Sequence, residues 1–420
     1  MLYEIWITSE DGSFSENVYD LTDPKDEHIV LNPHLRMKIN EAGSLEFTLP
    51  ATNVAYEHVH VLSDTVDVVE AGEVIWTGRP VSVKKDFFNR LHVECEGALN
   101  FLKDIILTGG NYIDITPKGL FEQIIRNYGF FISHPGRMFT DDRCTISDDC
   151  PSDCKVIYES AHERLSDHLL ERYGGYLILR KGQPGNNVIS ISYLKEIEET
   201  SSQEIVFGKN LLDISVTYDY SDVVTEIIPV CQDNDVTYTL DGFEEAANDD
   251  AIADYATEFV AGLNSSNHVR PVYHNGHVGI QFVDWANSIG VVSKVVDCNI
   301  IGNIVDTSYF ADWDNPTSEE QEEYDTEVLQ NKINIAQTKA SMYRQAISMF
   351  AGYSIGDPIV SVNVNDLKLL PDEEHAAIKL GSLVHAISEP HNVDVQLPML
   401  EMDLYLDKGS ITSTVITEGH

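Results

Sequence analysis

The stretch that decides the fold lies at the centre of the chain, at residues 207–231, and reads FGKNLLDISVTYDYSDVVTEIIPVC. It consists of two β-type runs, LLDISVTYDYS and VVTEIIPVC, which meet at a Ser-Asp step. Residues of opposite polarity alternate with a period of two through DISVTYDY, the pattern of a strand with one buried face. Neither run contains a recognisable reactive group, so this segment predicts structure rather than chemistry.

The composition is that of an ordinary folded protein with an unusual charge. The chain has 420 residues, of which 43% are hydrophobic and 23% are charged, which is enough for about two to four domains. Lys and Arg number 27 against 69 Asp and Glu, so the formal net charge is −42. A surface this negative repels DNA, RNA and anionic lipid, and we therefore expect no specific nucleic-acid binding.

The cysteines and the N-terminus indicate where the protein is made. Six cysteines are too few and too scattered for a disulfide scaffold. The first residues, MLYEIWITSEDGS, lack the basic and apolar regions of a signal peptide. No apolar run approaches the ~18–20 residues of a membrane span. We expect a protein made in the cytoplasm, with reduced thiols and no membrane anchor.

Strand patterns at both ends of the chain bracket a mixed middle, which predicts a strand-rich, mixed α+β fold. Four strands predicted within residues 355–416 are too few to close a barrel, so we expect strands near 207–235 to pair with them. The predicted domains are a first β-barrel (1–105), an α+β domain (106–206), a discontinuous second β-barrel (207–235 plus 355–420) and an inserted mixed domain with a long helix (236–354).

Two helices are predicted within the α+β domain. The first begins at Pro117, after an N-cap threonine, and ends at Gly129. The second begins at Ser160, where Glu163 completes a capping box, and ends at Gly174. These start and stop signals place both helices between strand-rich segments.

A long helix is predicted at residues 318–350, with a capping box between Ser318 and Gln321. Its apolar residues repeat at steps of four and three: Leu329, Ile333, Ala336, Ala340, Tyr343, Ile347 and Phe350. This stripe is compatible with a coiled-coil seam between subunits or with packing against its own domain, and we favour the second interpretation.

Recognisable catalytic motifs are absent from the sequence, including G-x-G-x-x-G, Walker A, G-x-S-x-G and H-E-x-x-H. His162 and His168 lie six residues apart on a predicted helix, so their rings should point to different faces, and we expect both to be exposed. The sequence thus predicts no catalytic residues and no cofactor.

The segment CTISDDCPSDC contains possible zinc ligands. Cys144, Cys150 and Cys154, with His134 upstream, contain the donors of a Cys₃His site, but their spacing is not the usual C-x₂-C. The preferred interpretation is an exposed loop with free thiols, and the sequence predicts no metal site.

Six stretches resemble, in order, the phage tail hub family named for the prophage endopeptidase tail protein, which corresponds to the N-terminal hub part of tail-associated lysins. They are VIWTGRPVSVKK…LHVECEGALNFLKD (74–104), ITPKGLFEQIIRNYG (115–129), ERLSDHLLERYGGYLILR (163–180), IVFGKNLLDISVTYDYSDVVTEIIPVC (205–231), WANSIGVVSKVVDC (285–298) and VNVNDLKLL…IKLGSLVHAIS (362–388). The resemblance covers about residues 1–415.

The resemblance implies two tube-type β-barrel domains with α+β insert domains, in a homotrimer at the virion tail tip. The trimer would close the tail tube, or that of a phage-derived particle, beneath a hexameric distal tail protein, with the tape measure protein and receptor-binding or fibre proteins as further partners. DNA would exit through this baseplate hub without being specifically bound, into a Gram-positive host.

Two other functions compete with the hub function. A cell-wall endopeptidase would need a catalytic constellation, and family members that carry a hydrolase continue beyond the point where this sequence ends, at TVITEGH. We therefore expect no enzymatic activity. A receptor- or carbohydrate-binding module could use the aromatic residues Trp285, Tyr309, Phe310 and Trp313, which more often fill cores. We also expect part of the acidic excess to line the DNA passage.

Overall fold

The computed structural model describes residues 3–20, 26–146, 152–186, 188–217, 223–233, 236–298, 300, 317–350, 359–364, 378–407 and 410–416. The strands are β1 Tyr3–Thr8, β2 Ser15–Asp20, β3 Leu31–Lys38, β4 Ser44–Leu49, β5 Thr65–Glu70, β6 Glu73–Lys85, β7 Leu91–Gly97, β8 Ile106–Leu107, β9 Gly110–Ile115, β10 Met138–Cys144, β11 Ser152–Val156, β12 Glu159–Ser160, β13 Tyr176–Arg180, β14 Val188–Leu194, β15 Ile205–Val206, β16 Leu211–Thr217, β17 Glu226–Asp233, β18 Val236–Tyr238, β19 Val269–His274, β20 His277–Phe282, β21 Ser293–Asp297, β22 Ile359–Val364, β23 Leu383–Ser388, β24 Val393–Pro398, β25 Glu401–Tyr405 and β26 Ser410–Ile416.

The α-helices are α1 Pro117–Phe131, α2 Ala161–Leu165, α3 Glu171–Tyr173, α4 Ala253–Leu263, α5 Val283–Ile289 and α6 Ser318–Met349. Short 3₁₀ turns lie at Asp26–His28, Ala98–Lys103, Pro135–Arg137, Phe243–Asn248 and Glu389–His391. A π-helical turn at Ser166–Leu170 connects α2 to α3. Among the described residues, no helix is both long and apolar enough to span a membrane.

An eleven-stranded sheet dominates the fold, with the strand order β16-β22-β26-β25-β3-β4-β7-β6-β5-β1-β2. The pairing of β16 with β22 is antiparallel, and it confirms that the first run of the central segment joins strands beyond residue 355. Strand β25 pairs with β26 on one side and with β3 on the other. The strands β1 to β7 of the expected first barrel and β16, β22, β25 and β26 of the expected second barrel thus lie in one continuous sheet, whereas β23 and β24 pair with β15 in a separate three-stranded sheet.

The second run of the central segment joins a different sheet. Strand β17 pairs with β18 and β20 in antiparallel fashion and with β21 in parallel fashion. It therefore forms the middle of the inserted domain's sheet, not part of the eleven-stranded sheet. Alternation along the sequence shows which face of a strand is buried, but it carries no information about which sheet the strand enters.

The inserted domain packs its sheet against α4 and the C-terminal part of α6. Ala336, Ala340, Tyr343 and Phe350 are buried in this core, whereas Leu329 is exposed. The preferred interpretation of the stripe, packing against its own domain, is therefore confirmed for the C-terminal part of the helix. The turns before it project from the domain.

Three predicted helix boundaries can be compared with the structure. The capping box at Ser160 and Glu163 is confirmed. Helix α1 continues past Gly129 to Phe131, so the predicted end was wrong; a Cβ at Gly129 would touch nothing, and glycine is tolerated inside a helix. The box of α6 lies one residue earlier than predicted, between Thr317 and Glu320, where a charged carboxylate accepts the N-cap amide hydrogen.

The α+β domain packs on the eleven-stranded sheet through polar as well as apolar contacts. The buried Lys181 ammonium group lies 2.8 Å from both carboxylate oxygens of Asp67, which is in β5. Arg79 and Arg137 both lie over the ring of Phe101, at 5.2 and 5.3 Å from its centroid, and both pair with Asp104. These contacts fix the domain to one end of the sheet.

Candidate functional site

His134, one of the four zinc-ligand candidates, makes other hydrogen bonds with both ring nitrogens. Its Nδ1 accepts a hydrogen bond from the Gly136 amide at 3.1 Å, and its Nε2 donates to the Ser63 carbonyl at 2.8 Å. Both ring nitrogens are thus engaged in holding a turn. Cys144 ends β10 and is half-buried, Cys154 lies in β11, and Cys150 lies outside the described residues.

The expected exposure of the two helix histidines was wrong for His168. This side chain is buried, and its Nε2 lies 3.0 Å from an oxygen of Glu159. Burial, together with the positive charge of Arg172, lowers the pKa of His168. The π-helical turn that contains His168 changes the rotation of the following residues, which a calculation with 3.6 residues per turn does not anticipate. His162 is half-buried.

Two hydroxyl–imidazole pairs occur among the described residues, and the hydroxyl oxygen of each is poorly accessible. Thr48 Oγ1 lies 2.8 Å from His92 Nδ1, while His92 Nε2 lies 3.2 Å from Asp86. Ser388 Oγ lies 2.6 Å from His391 Nδ1. Both Thr48 and Ser388 are buried, so a polymer substrate could not reach either oxygen in this arrangement.

The aromatic residues considered for sugar binding are only partly described. Trp285 lies on α5 and is half-buried, whereas Tyr309, Phe310 and Trp313 lie outside the described residues. The described part of this set therefore forms no aromatic platform.

One group of possible metal ligands comes together in the part of the chain that the structure describes: Glu226, His274 and His277. One ligand atom from each residue lies within 4.8 Å of the other two. His274 Nδ1 and Glu226 Oε1 are 3.5 Å apart, and His277 Nε2 and Glu226 Oε2 are also 3.5 Å apart. We call these three residues the His–Glu cluster.

Local backbone structure brings the two histidines together. They flank the two-residue turn between β19 and β20 and lie directly opposite each other across the hairpin. Asn275 and Gly276 form that turn, with φ angles of 52° and 89°, and an Asn-Gly pair is the strongest short signal for such a hairpin. The two imidazole rings have centroids 6.0 Å apart.

Hydrogen bonds from two neighbouring strands hold the carboxylate of Glu226. Gln281 on β20 donates to Oε1 at 2.7 Å, and the Ser293 hydroxyl on β21 donates to Oε2. Burial by itself would raise the pKa of Glu226, but the hydrogen bonds from Gln281, Ser293 and His277 outweigh it and lower the pKa below its usual value. The group is therefore a buried carboxylate anion.

The His–Glu cluster was not predicted from the sequence, although two of its three residues had a readable signal. The tetrapeptide HNGH at residues 274–277 places two histidines on either side of a hairpin turn, which makes them cross-strand neighbours. The position of Glu226 has no comparable signal, because it depends on the pairing of β17 with β20.

Exposed aromatic side chains mark a second feature, the tip of the β6–β7 hairpin. Phe87 and Phe88 are 95% and 71% exposed, and their rings contact each other edge to face at 5.4 Å. Asp86 accepts hydrogen bonds from the amides of Phe88 and Arg90, so the turn that presents the two rings is ordered. We call Phe87 and Phe88 the hairpin tip.

The fold is that of phage tail proteins. The 43 kDa tail protein of prophage MuSo2 from Shewanella oneidensis aligns with a TM-score of 0.50 and 9% identity, over 99% of this chain and 98% of that chain. The tail protein from Neisseria meningitidis MC58 aligns with a TM-score of 0.50 and 9% identity, over 100% and 97%. For the prophage tail protein gp18 from Listeria monocytogenes EGD-e, the TM-score is 0.46 and the identity 14%, over 99% and 95%.

Sequence comparison then identifies the family. No curated protein sequence matches the chain. The family model described as prophage endopeptidase tail matches residues 198–417, which is more than half of the chain. The chain belongs to the prophage endopeptidase tail family, and it is a structural component of a phage tail.

Proposed function

We propose that the protein is the hub at the tail tip, where a homotrimer closes the distal end of the tail tube beneath a hexameric distal tail protein. The observation that carries this proposal is the eleven-stranded sheet, which joins strands from both ends of the chain side by side. If the two ends of this sheet form two barrel-type halves in each subunit, a trimer presents six such units, matching a sixfold ring. The tape measure protein and receptor-binding or fibre proteins would be further neighbours.

The path of the sheet supports a role in ring assembly. Among the described strands, β2 and β16 form the two ends of the eleven-stranded path. The edge of an end strand is a surface on which another chain can add by strand pairing. In the proposed trimer, these ends would face the neighbouring subunits.

We further propose that the sheet's exposed face lines the passage for DNA. On β3, β4, β6, β7 and β25, this face carries four basic side chains, Arg36, Lys38, Arg79 and Lys84, and five acidic ones, Glu46, Glu94, Glu96, Glu401 and Asp403. Arg36 lies between Glu46 and Asp403, at 3.7 and 3.9 Å. A net negative wall repels phosphates, whereas free basic groups would bind the backbone and slow its passage.

The mass of the purified chain in solution tests the trimer. Three 47.0 kDa chains give about 141 kDa, which mass photometry distinguishes from a monomer both in the free protein and in a mixture with the distal tail protein. A chain that stays monomeric in both samples contradicts the hub proposal.

We propose that the chain has no cell-wall hydrolase activity of its own. The buried hydroxyl groups of both described hydroxyl–imidazole pairs argue against a serine- or threonine-type hydrolase. A peptidoglycan zymogram of the purified chain should stay uncleared. Clearing that a single point substitution abolishes would favour the endopeptidase alternative instead.

A further inference from the structure

We propose that the His–Glu cluster is a binding site for a transition-metal cation of the Zn²⁺ type. The donors are two imidazole nitrogens and one carboxylate oxygen, from His274, His277 and Glu226. Zn²⁺ commonly takes such a set, whereas Mg²⁺ and Ca²⁺ prefer oxygen ligands only. The proposed hub function does not require this site, so the metal-site proposal can be tested independently of it.

The spacing of the donor atoms fits a tetrahedral ion. Metal–ligand distances of about 2.0–2.1 Å place neighbouring ligand atoms roughly 3.3–3.4 Å apart. His274 Nδ1 lies 3.5 Å from Oε1 of Glu226, and His277 Nε2 lies 3.5 Å from the other carboxylate oxygen, Oε2. One ring nitrogen of each histidine and one oxygen of Glu226 lie within 4.8 Å of one another, so binding of an ion would draw these three atoms closer together.

The electrostatics favour a cation at this position. Glu226 is completely buried, and among the described residues its ion-pair contacts are with the two histidines alone. A buried carboxylate needs a compensating positive charge or a full set of hydrogen bonds. Gln281 and Ser293 supply hydrogen bonds that orient the group, which is the arrangement of outer-shell partners around a metal ligand.

One of the possible ligand atoms, His274 Nδ1, has no hydrogen-bond partner among the described residues. This nitrogen is buried and points toward Glu226 at 3.5 Å. An unsatisfied buried nitrogen costs free energy, and coordination of a cation would satisfy it. This atom is the second, independent sign that the cluster is built for a ligand.

Gly279 leaves room in the backbone for the carboxylate of Glu226. A Cβ atom added to Gly279 on β20 would lie 2.6 Å from Glu226 Cγ and 2.7 Å from its Oε1. Because those distances are too short for any side chain, Gly279 opens the path by which Glu226 reaches the two histidines. The tight Asn275-Gly276 turn fixes the other two donors, so the three ligands are held on regular β structure.

The site would act as a clamp with one open position. Both histidines are half-buried, so water or a group from a neighbouring molecule could complete the coordination. A bound ion would tie the β19–β20 hairpin to β17 at the centre of the inserted sheet. Metal binding should therefore raise the melting temperature of the chain.

Calorimetry of the full chain tests the proposal. Chelator-treated protein is titrated with ZnCl₂ in the presence of millimolar MgCl₂, which occupies carboxylate-only sites on this acidic surface. We expect one Zn²⁺ per chain and a higher melting temperature. His274→Gln and His277→Gln should each weaken binding by at least about tenfold and reduce the thermal shift.

Two controls separate this site from other ligands in the chain. His268→Gln removes an exposed histidine that pairs with Asp284 in the same domain, and it should leave binding unchanged. A variant with Cys144, Cys150 and Cys154 replaced by Ser should also bind normally. Circular dichroism of the metal-free variants checks that each is folded, and Co²⁺ bound by the wild type should show tetrahedral bands without a thiolate charge-transfer band.

Three results would overturn the proposal. They are the absence of stoichiometric Zn²⁺ binding, equal affinity in wild type and both histidine variants, and loss of binding in the cysteine variant alone.

Discussion

Lys181 and Asp67 form an ion pair that is almost completely closed off from solvent. The ammonium group contacts both carboxylate oxygens at 2.8 Å, and the amide of Gly185 donates to one of them at 3.3 Å. Removing one partner of such a pair leaves an uncompensated buried charge, whereas replacing both by apolar groups is often neutral. The pair joins the α+β domain to β5, so its loss should destabilise both the domain and the sheet.

A double-mutant cycle measures this interaction. Lys181→Met should lower the free energy of unfolding by about 3–5 kcal/mol, because Asp67 stays buried without its cation. The double variant Lys181→Met with Asp67→Leu should recover most of that loss. Urea denaturation followed by circular dichroism gives both values. A loss below about 1 kcal/mol in the single variant would mean that water or another group satisfies Asp67.

At the scale of elements, the β6–β7 hairpin presents an ordered apolar tip. Ordered, exposed aromatic side chains are typical anchors of protein interfaces. The guanidinium group of Arg90 also lies over the ring of Phe88, at 5.1 Å, and supports its position. If the proposed trimer forms, we expect the hairpin tip to contact a neighbouring subunit in it.

The double variant Phe87→Ser with Phe88→Ser tests the hairpin tip. Its stability as a single chain should change by only about 0.5 kcal/mol, because both side chains are exposed. Its assembly should fail, so mass photometry should show chains of 47.0 kDa in place of the trimer.

The matched control replaces another pair of exposed phenylalanines, Phe130 and Phe131 at the end of α1, which are 84% and 52% exposed. This control should still assemble. Assembly that survives loss of the hairpin tip but not loss of the α1 pair would assign the interface to α1 instead.

Several elements were predictable from the sequence because their signals are local. The start of α1 and the capping box at Ser160 depend on residues within one turn of each helix. The long-range partner of β16 was predictable for a different reason: four strands cannot close a barrel, so a further strand was needed. The sheet that β17 joins could not be predicted, because a β-type run looks the same in either sheet.

The His–Glu cluster shows the same division between local and long-range information. The two histidines are placed by a four-residue hairpin signal that lies in the sequence. Glu226 is one acidic residue among 69 Asp and Glu, and only the pairing of β17 with β20 and β21 distinguishes it from the others. In so acidic a chain, the sequence alone cannot show which carboxylate belongs to a binding site.

At the scale of the whole molecule, the acidic face of the eleven-stranded sheet leads to a prediction about the passage of DNA. Glu46→Lys with Glu94→Lys converts two acidic positions on neighbouring strands into basic ones. Assembled particles with this change should eject DNA more slowly, with a stronger dependence on salt, since the new ammonium groups would bind phosphates. Ejection can be followed by fluorescence of a DNA-binding dye.

The control for this prediction reverses two charges away from the sheet. Glu322→Lys with Glu323→Lys changes the net charge by the same amount on the exposed first half of α6. Ejection should be unaffected in this variant. Equal slowing in both variants would show that overall charge matters and not the lining of a passage.

The pairing of β25 with β3 also has a consequence for synthesis on the ribosome. Asp403 follows its neighbour His34 by 369 residues, so at about 5–20 residues per second the partner strand emerges roughly 20–70 s later. During that interval one edge of β3 has no strand to pair with, and an open edge readily captures other chains. Nascent chains stalled before residue 400 should therefore bind chaperones through residues 31–38, and crowded polysomes translating this message should be prone to co-aggregation until the last strands are made.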